Sequence, residues 1–429
     1  MNFQSLGLST TTQQALGDVG YSTPTPVQKQ TIPVVLQGKD VMVAAQTGTG
    51  KTAGFIAPML DLLVVNRGVS TGVSTGASGG VGKALSVSPG SNQVKGLILV
   101  PTRELAVQVH QSIKTYGAYA GLQSGLLAEV VYGGVKVNPQ MMALRKGVHM
   151  LVATPGRLLD LYHQNAVKFD QLEILVLDEA DRMLSLGFSD EMSQLLKVLP
   201  RKRQTLMFSA TLSTEVRQLA SRMLQQPVEI TVSPERVAAV KVNQWLAPVD
   251  KKRKTALLLA LLAANGWGQT LVFVNTKKGA DRLARELSTA GFDAAAIHGD
   301  KSQSVRLRNL QAFKTGELHI LVATDVASRG LDIGDLAVVI NVDLPKVAED
   351  YVHRIGRTGR ADKTGEAISL VSADEFENLR NIEQLVRHVI RREVVDAFDP
   401  SLEVPESQGV PPVRKPKKPK KPKKLLLRE

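Results

Sequence analysis

Residues 41–52 read Val41-Met-Val-Ala-Ala-Gln-Thr-Gly-Thr-Gly-Lys-Thr52, and the fold turns on them. An apolar run breaks into alternating glycines, then into a Lys-Thr pair that opens a second, longer apolar stretch. Strand, Gly-rich loop and helix in that order let backbone N–H groups close around phosphate oxygens at the helix N-terminus. In that setting Lys51 reaches the β- and γ-phosphates of a nucleotide, and the Thr52 hydroxyl serves as a Mg2+ ligand. The stretch departs from the generic phosphate-loop pattern at Ala45, where a first glycine is usual.

Further along, Ile174-Leu-Val-Leu177 runs straight into Asp178-Glu-Ala-Asp181. A carboxylate at a strand end beside a phosphate loop holds Mg2+, directly or through water, which is the role read for Asp178. Glu179 points elsewhere and is the candidate to orient or deprotonate the attacking water. An isolated Asp-Glu pair at a helix start can do no more than offset the macrodipole. Beside Ala45–Thr52 the catalytic reading is preferred. His353-Arg-Ile-Gly-Arg-Thr-Gly-Arg360 places Arg354, Arg357 and Arg360 at intervals of three, with Gly356 and Gly359 arguing for a tight loop. Closely held guanidiniums suit a triphosphate, whereas the bland alternative is a solvated basic turn. His298 and His353 have no partner at metal-ligand spacing, so neither is assigned a metal.

Around these segments, apolar runs alternate with helical patterns. Strands are expected at Val41–Ala45, Gly96–Val100, Met150–Ala153, Ile174–Leu177 and Thr205–Phe208. A second set falls at Thr270–Val274, Ile320–Ala323, Ala337–Val342 and Ala367–Val371. Such runs with helices between them imply parallel strands covered on both faces, hence two doubly wound α/β domains. The expected boundaries are 1–232 for the first, 233–241 for a linker, 242–392 for the second and 393–429 for a basic tail. A Gly/Ser-rich insertion at 68–92, with Val69-Ser-Thr-Gly72 repeated at Val73-Ser-Thr-Gly76, reads as a flexible loop. One internal echo, His149-Met-Leu-Val-Ala-Thr154 against His319-Ile-Leu-Val-Ala-Thr324, points weakly to related halves.

The chain of 429 residues has room for two to four domains at roughly 100–200 residues each. It contains no cysteine, which excludes disulfides, thiolate metal sites and a cysteine nucleophile. A net charge of +13 favours a polyanionic partner. The longest apolar run, Ala256–Ala264, is far short of the roughly 20 residues a membrane span needs. Met1–Thr12 lacks the pattern of a signal peptide, so a cytoplasmic protein with no membrane partner is expected. From Ser401 onward nine Lys/Arg face three Glu, and Pro416, Pro419 and Pro422 forbid a helix.

In this order the segments resemble the DEAD-box ATP-dependent RNA helicases over nearly all of residues 1–390. Gly20-Tyr-Ser-Thr-Pro-Thr-Pro-Val-Gln28, with Phe3 17 residues before it, resembles the family's Q motif. The resemblance implies two tandem RecA-like domains with ATP between them. It further implies that Gln28 reads the adenine edge, that Tyr21 packs on the base with Phe3 nearby, and that Gln46, Thr47, Gly48, Thr49 and Gly50 cradle the phosphates. Asp332, in Ala323–Asp332, would lie near the ribose, and Arg357 and Arg360 would be arginine fingers. Ser209-Ala-Thr211 looks like the segment coupling hydrolysis to strand separation. Pro101, Thr102, Arg103, Gly133, Gly134, Thr154 and Arg157 match first-domain contacts to the RNA backbone. Gln303, Arg306 and Thr324 match second-domain contacts.

The implied activity is Mg2+-dependent ATP hydrolysis coupled to local, non-processive unwinding of short RNA duplexes. An RNA-stimulated ATPase that displaces proteins or clamps RNA uses the same segments and is the alternative. Val249-Asp-Lys-Lys-Arg-Lys254 and Gly365-Glu-Ala-Ile-Ser-Leu370 look like the bacterial RhlE-type branch. That points to ribosomal precursors or RNA-decay proteins as further partners of a monomer.

Overall fold

The computed structural model describes residues 2–45, 48–65, 92–119, 126–232, 242–325, 333, 336–359 and 365–407. The expected linker at 233–241 and all of the expected insertion but Asn92 lie outside the described residues, as do residues 408–429 of the tail.

The first sheet comprises β1 (Val41–Ala44), β2 (Val94–Leu99), β3 (Ala128–Val131), β4 (Val148–Ala153), β5 (Ile174–Leu177), β6 (Gln204–Ser209) and β7 (Val228–Thr231). Its strands are parallel and ordered β3-β4-β2-β5-β6-β1-β7. Both faces are covered, which is why the central strands are continuously apolar. On β5, Ile174 and Val176 enter the core on one face, while Leu175 and Leu177 enter that on the other. Helices Lys51–Leu63 and Arg103–Tyr119 fill the first face; helices Pro155–His163, Ser189–Val198 and Thr214–Met223 fill the second.

The second sheet comprises β8 (Val242–Pro248), β9 (Thr270–Phe273), β10 (Ala294–Ile297), β11 (Ile320–Ala323), β12 (Val338–Asn341), β13 (Gly365–Val371) and β14 (Arg391–Arg392). The order β10-β11-β9-β12-β13-β8-β14 repeats that of the first sheet position by position. The echoed hexapeptides form the same strand in each, β4 and β11. Ala256–Ala264 lies within the helix Lys254–Asn265, with Leu257, Leu258, Leu261 and Leu262 buried. Among the described residues no helix is long and apolar enough to cross a membrane.

Five strands, β3, β7, β8, β10 and β14, were not expected from the sequence. Four of them are the edges of the two sheets. An edge strand is less covered and need not be a continuous apolar run. The fifth, β8, carries Asn243 and Gln244 among its apolar residues, and its Trp245 Nε1 donates to Glu366 Oε1 on β13 at 2.7 Å.

The expected boundary of the tail is corrected. Residues 393–407 pack against the second domain, because they carry apolar anchors and polar ties that composition alone conceals. Val404 is buried in one core, and Val395 and Phe398 pack against the other. Ser401 donates through its N–H (2.9 Å) and hydroxyl (2.7 Å) to Asp250, and Arg392 donates to the carbonyls of Val404 and Pro405. The Arg253 guanidinium lies 5.0 Å from the centre of the Phe398 ring.

Candidate active site and nucleic-acid groove

Parallel strands deliver their following loops to one edge of the sheet, and the strand order divides that edge in two. The adjacent strands β5, β6 and β1 end in Asp178, Ser209 and the phosphate loop. On the other side of β5, strands β3, β4 and β2 lead into Gly133, Thr154 and Pro101.

On the first half, Gly48 and Gly50 take φ values of 82° and 84°, a region that strains any side chain. A Cβ on Gly50 would also come within 2.5 Å of Gln28 Nε2. Lys51 opens the helix Lys51–Leu63, is 6% exposed, and its ammonium has no hydrogen-bond partner among the described residues. Gln46 and Thr47 lie outside the described residues.

The carboxyl of Asp178 is buried, and that burial pushes its pKa up to about 6. Lys51 pulls it down, and the neighbouring Glu179 charge adds to the rise. Glu179 itself sits at φ 54°, a left-handed conformation costing a non-glycine residue of order 1 kcal/mol or more. Its Oε2 lies 3.4 Å from Arg182 Nη1. Asp181 accepts the N–H and the hydroxyl of Thr211, each at 3.0 Å, while Ser209 Oγ donates to the Thr211 carbonyl at 2.6 Å. These bonds tie the end of β6 to the helix after β5.

A cleft of about 630 Å³ is lined by Lys51, Glu179, Asp181 and Thr211 on one side and by Val347, His353 and Arg357 of the second domain on the other. It has the volume of a small-molecule site. Arg357 is buried there, whereas Arg360 and Asp332 lie outside the described residues. Arg354 does not join them, contrary to its grouping with a triphosphate. Its guanidinium is bidentate to Asp325 (2.6 and 2.7 Å) and also bonds Asn341, Asn275 and the Asp343 carbonyl. It sits 4.9 Å from the centre of the Phe273 ring. The helix Ala348–Ile355 points Arg354 into the domain, and Arg357 follows in the turn beyond it.

Beside the cleft, Gln28 is fully buried. Its Nε2 donates to the Gly50 carbonyl (3.1 Å), and its Oε1 accepts the Thr25 N–H (2.9 Å). Each atom retains one further donor or acceptor position. The Phe3 and Tyr21 rings meet edge to face, with centroids 6.4 Å apart.

The second half of the edge forms a groove of about 650 Å³ that gathers Pro101, Thr102, Arg103, Gly133, Thr154 and Arg157. Gly299 and Arg306 of the second domain complete it. Gly134 has φ 78°, and a Cβ there would collide with the Arg103 guanidinium. Arg157 Nη2 donates to the Val135 carbonyl at 3.0 Å. Thr324 is buried at the end of β11. Gln303 is also buried, and its Nε2 donates to Glu104 Oε1 at 2.9 Å. The same oxygen takes Arg306 Nη2 at 2.8 Å. Sequence reasoning missed Glu104, which reads as an ordinary acid in the first turn of a helix. It also left Asp181 without a role.

A DEAD/DEAH box helicase family model matches residues 25–219, and a helicase conserved C-terminal domain model matches residues 253–362. The DEAD-box ATP-dependent RNA helicase CshA of Bacillus cereus (strain ATCC 10987 / NRS 248) is 38% identical over 401 residues, 94% of this chain and 71% of that protein. The CshA protein of Bacillus subtilis (strain 168) is 36% identical, over 94% of this chain and 76% of its own length.

Among solved structures, S. cerevisiae Dbp5 bound to RNA and ADP BeF3 matches with a TM-score of 0.76 at 27% identity, covering 92% of this chain and 96% of that one. Mss116p bound to ssRNA and AMP-PNP gives 0.77 at 25% identity, covering 92% and 78%. A Dbp5 variant bound to nup159, a gle1 variant, ip6 and adp gives only 0.60, at 26% identity over 91% and 96%. With its paired RecA-like sheets and both family segments in place, the chain belongs to the DEAD-box family of ATP-dependent RNA helicases.

Proposed function

We propose that this chain binds Mg–ATP in the cleft around Lys51, and that domain closure over RNA completes the site and separates a few base pairs. The observation carrying this is the Lys51 ammonium, buried without a hydrogen-bond partner among the described residues, in a cleft both domains line. The Asp178 charge offsets part of the cost of burying that ammonium, and an anionic ligand would supply the hydrogen bonds it lacks.

The donor set fits Mg2+. Desolvation makes the Asp178 carboxylate costly on its own, and a cation offsets that cost. Asp178 and the Thr52 hydroxyl would hold the ion, which when bound neutralises phosphate charge. Glu179 orients the attacking water and takes its proton, while the Arg182 guanidinium steadies its carboxylate. Gln28 and Tyr21, with Phe3 behind, select and pack the base. Arg357 and Arg360 stabilise the charge on the transferring phosphoryl group. An arginine finger is worth about 10³–10⁵ in rate, so an open enzyme is nearly inactive.

RNA lies along the groove from Pro101 to Arg157 and onto Arg306, Gln303 and Thr324, gripped by its backbone. Such contacts carry no sequence information, so targeting comes from elsewhere. The nine cations after Ser401 are the candidate. That pairing of an indiscriminate core with a basic tether fits ribosomal precursors or RNA turnover in the cytoplasm.

The test is the ATP hydrolysis rate with and without RNA, beside Glu179→Gln. Strong stimulation that the substitution abolishes is expected. A rate indifferent to RNA would reduce the chain to an ATPase driven by some other partner.

A further inference from the structure

One rigid element touches both sites. In the first turn of the helix Arg103–Tyr119, Glu104 holds Gln303 and Arg306 of the second domain. About 20 Å further along, at 1.5 Å per residue, the same helix carries Tyr116. Tyr116 is 5% exposed. Its hydroxyl lies 3.1 Å from that of Tyr21, and the two rings meet edge to face with centroids 6.2 Å apart. Between these ends, Ala106, Val109 and Ile113 are locked in the core, and His110 Nε2 bonds the Ala128 carbonyl on β3 at 3.0 Å. The helix therefore moves as one body with the first sheet.

We propose that Tyr116 is a positioning residue for the nucleotide base. It fixes the ring of Tyr21 before the base arrives. The proposal rests on the reading above, in which Tyr21 packs on the base. Tyr21 follows Gly20 (φ 100°) in the loop between helices Thr10–Asp18 and Pro26–Leu36, and is only partly buried. A ring in such a loop loses rotamer freedom on binding unless something holds it beforehand, and Tyr116 holds it from a helix.

The experiment compares wild type, Tyr116→Phe, Tyr21→Phe and the double variant. Losing the hydroxyl bond should raise the KM for ATP about two- to tenfold, with kcat at saturating ATP nearly unchanged. RNA affinity, with saturating AMP-PNP or without nucleotide, should not move. The double variant should be no worse than either single one, because both remove the same bond. An unmoved KM, singles whose effects multiply, or a loss of RNA affinity alike with and without nucleotide would each overturn the proposal. A wild-type chain whose hydrolysis ignores RNA would bring down the helicase reading with it. A stimulated wild type with an unaltered Tyr116→Phe overturns this inference alone.

Discussion

Asp181 takes both donors of Thr211 on one carboxylate oxygen, the backbone N–H and the hydroxyl at 3.0 Å each. The end of β6 is thereby fastened to the segment that carries the proposed metal ligand and base. Thr211→Ala keeps the backbone bond and loses the hydroxyl one, a change of about 1 kcal/mol. Hydrolysis should stay within roughly threefold, while base pairs separated per ATP consumed fall much further. Parallel ATPase and strand-displacement assays measure that ratio, and an equal loss in both would remove Thr211 from the coupling.

Glu104 carries two second-domain donors on a single buried oxygen. Glu104→Ala strands the Arg306 guanidinium, and breaking a buried pair in this way costs about 3–5 kcal/mol. The loss falls on the closed arrangement, so half-saturation of the ATPase by RNA should shift upward by at least about tenfold. Thermal stability of the separate first domain, whose core does not use Glu104, should not change. An RNA titration of the hydrolysis rate decides it.

Arg354 and Arg357 lie three residues apart and should fail differently. Arg354→Lys removes the bidentate pair with Asp325 and the bonds to Asn275 and Asn341, so it should unfold the second domain by about 3 kcal/mol or more. Arg357→Lys should lower kcat by about 10³ at temperatures where the second domain stays folded. Differential scanning calorimetry beside steady-state kinetics separates the two outcomes.

His110 supplies a pH dependence. Burial holds its pKa below the ordinary histidine value, Lys114 adds to that, and the bond to the Ala128 carbonyl opposes it. Below pH 6.5 the unfolded chain takes up a proton that the folded chain resists, so stability falls as pH drops from there through the folded pKa. Above 6.5 the term vanishes. His110→Gln keeps a donor for Ala128 and should reduce the loss of urea-unfolding stability between pH 7 and pH 5, leaving the opposite contribution of Asp178, whose raised pKa favours the folded chain as pH falls; an unchanged pH profile would exclude His110 as a source.

Two truncations distinguish the anchored segment from the charged one. A chain ending at Ser407 keeps Val404 and the Ser401–Asp250 bonds, and should melt like the full chain. It should lose a salt dependence of RNA binding of about six in log–log slope, if all nine cations meet single-stranded phosphates. A chain ending at Pro400 should also lose stability, by about 1.5–3 kcal/mol for the buried Val404 side chain. Identical salt slopes for the full chain and the Ser407 truncation would dismiss the tail as a tether.

What could be read from the sequence follows from burial. Ile174–Leu177 and Ile320–Ala323 were located to the residue because both faces of a central strand must be apolar. Ala294–Ile297 escaped because three alanines in four residues carry no strand signal, and only tertiary contacts at the sheet edge make it a strand. The phosphate loop and the acidic segment announce themselves because their chemistry restricts which residues serve. Glu104 and Tyr116 do not: an acid in a helix's first turn and a tyrosine on its buried face are ordinary until the fold sets partners against them. Arg354 misled for the opposite reason, since its spacing from Arg357 says nothing of Asp325 waiting behind it.

The shared strand order has a consequence for how the molecule is made. In each sheet the first strand synthesised lies between strands synthesised last: Val41 pairs with Leu206 and Val228, and Trp245 with Ile368 and Arg391. Neither sheet can close while its carboxyl-terminal strands are still inside the ribosome. The first half is complete once β7 has emerged and has its own core to collapse onto. The second half waits for the segment that ends in Val404, so translation itself separates the two folding events in time.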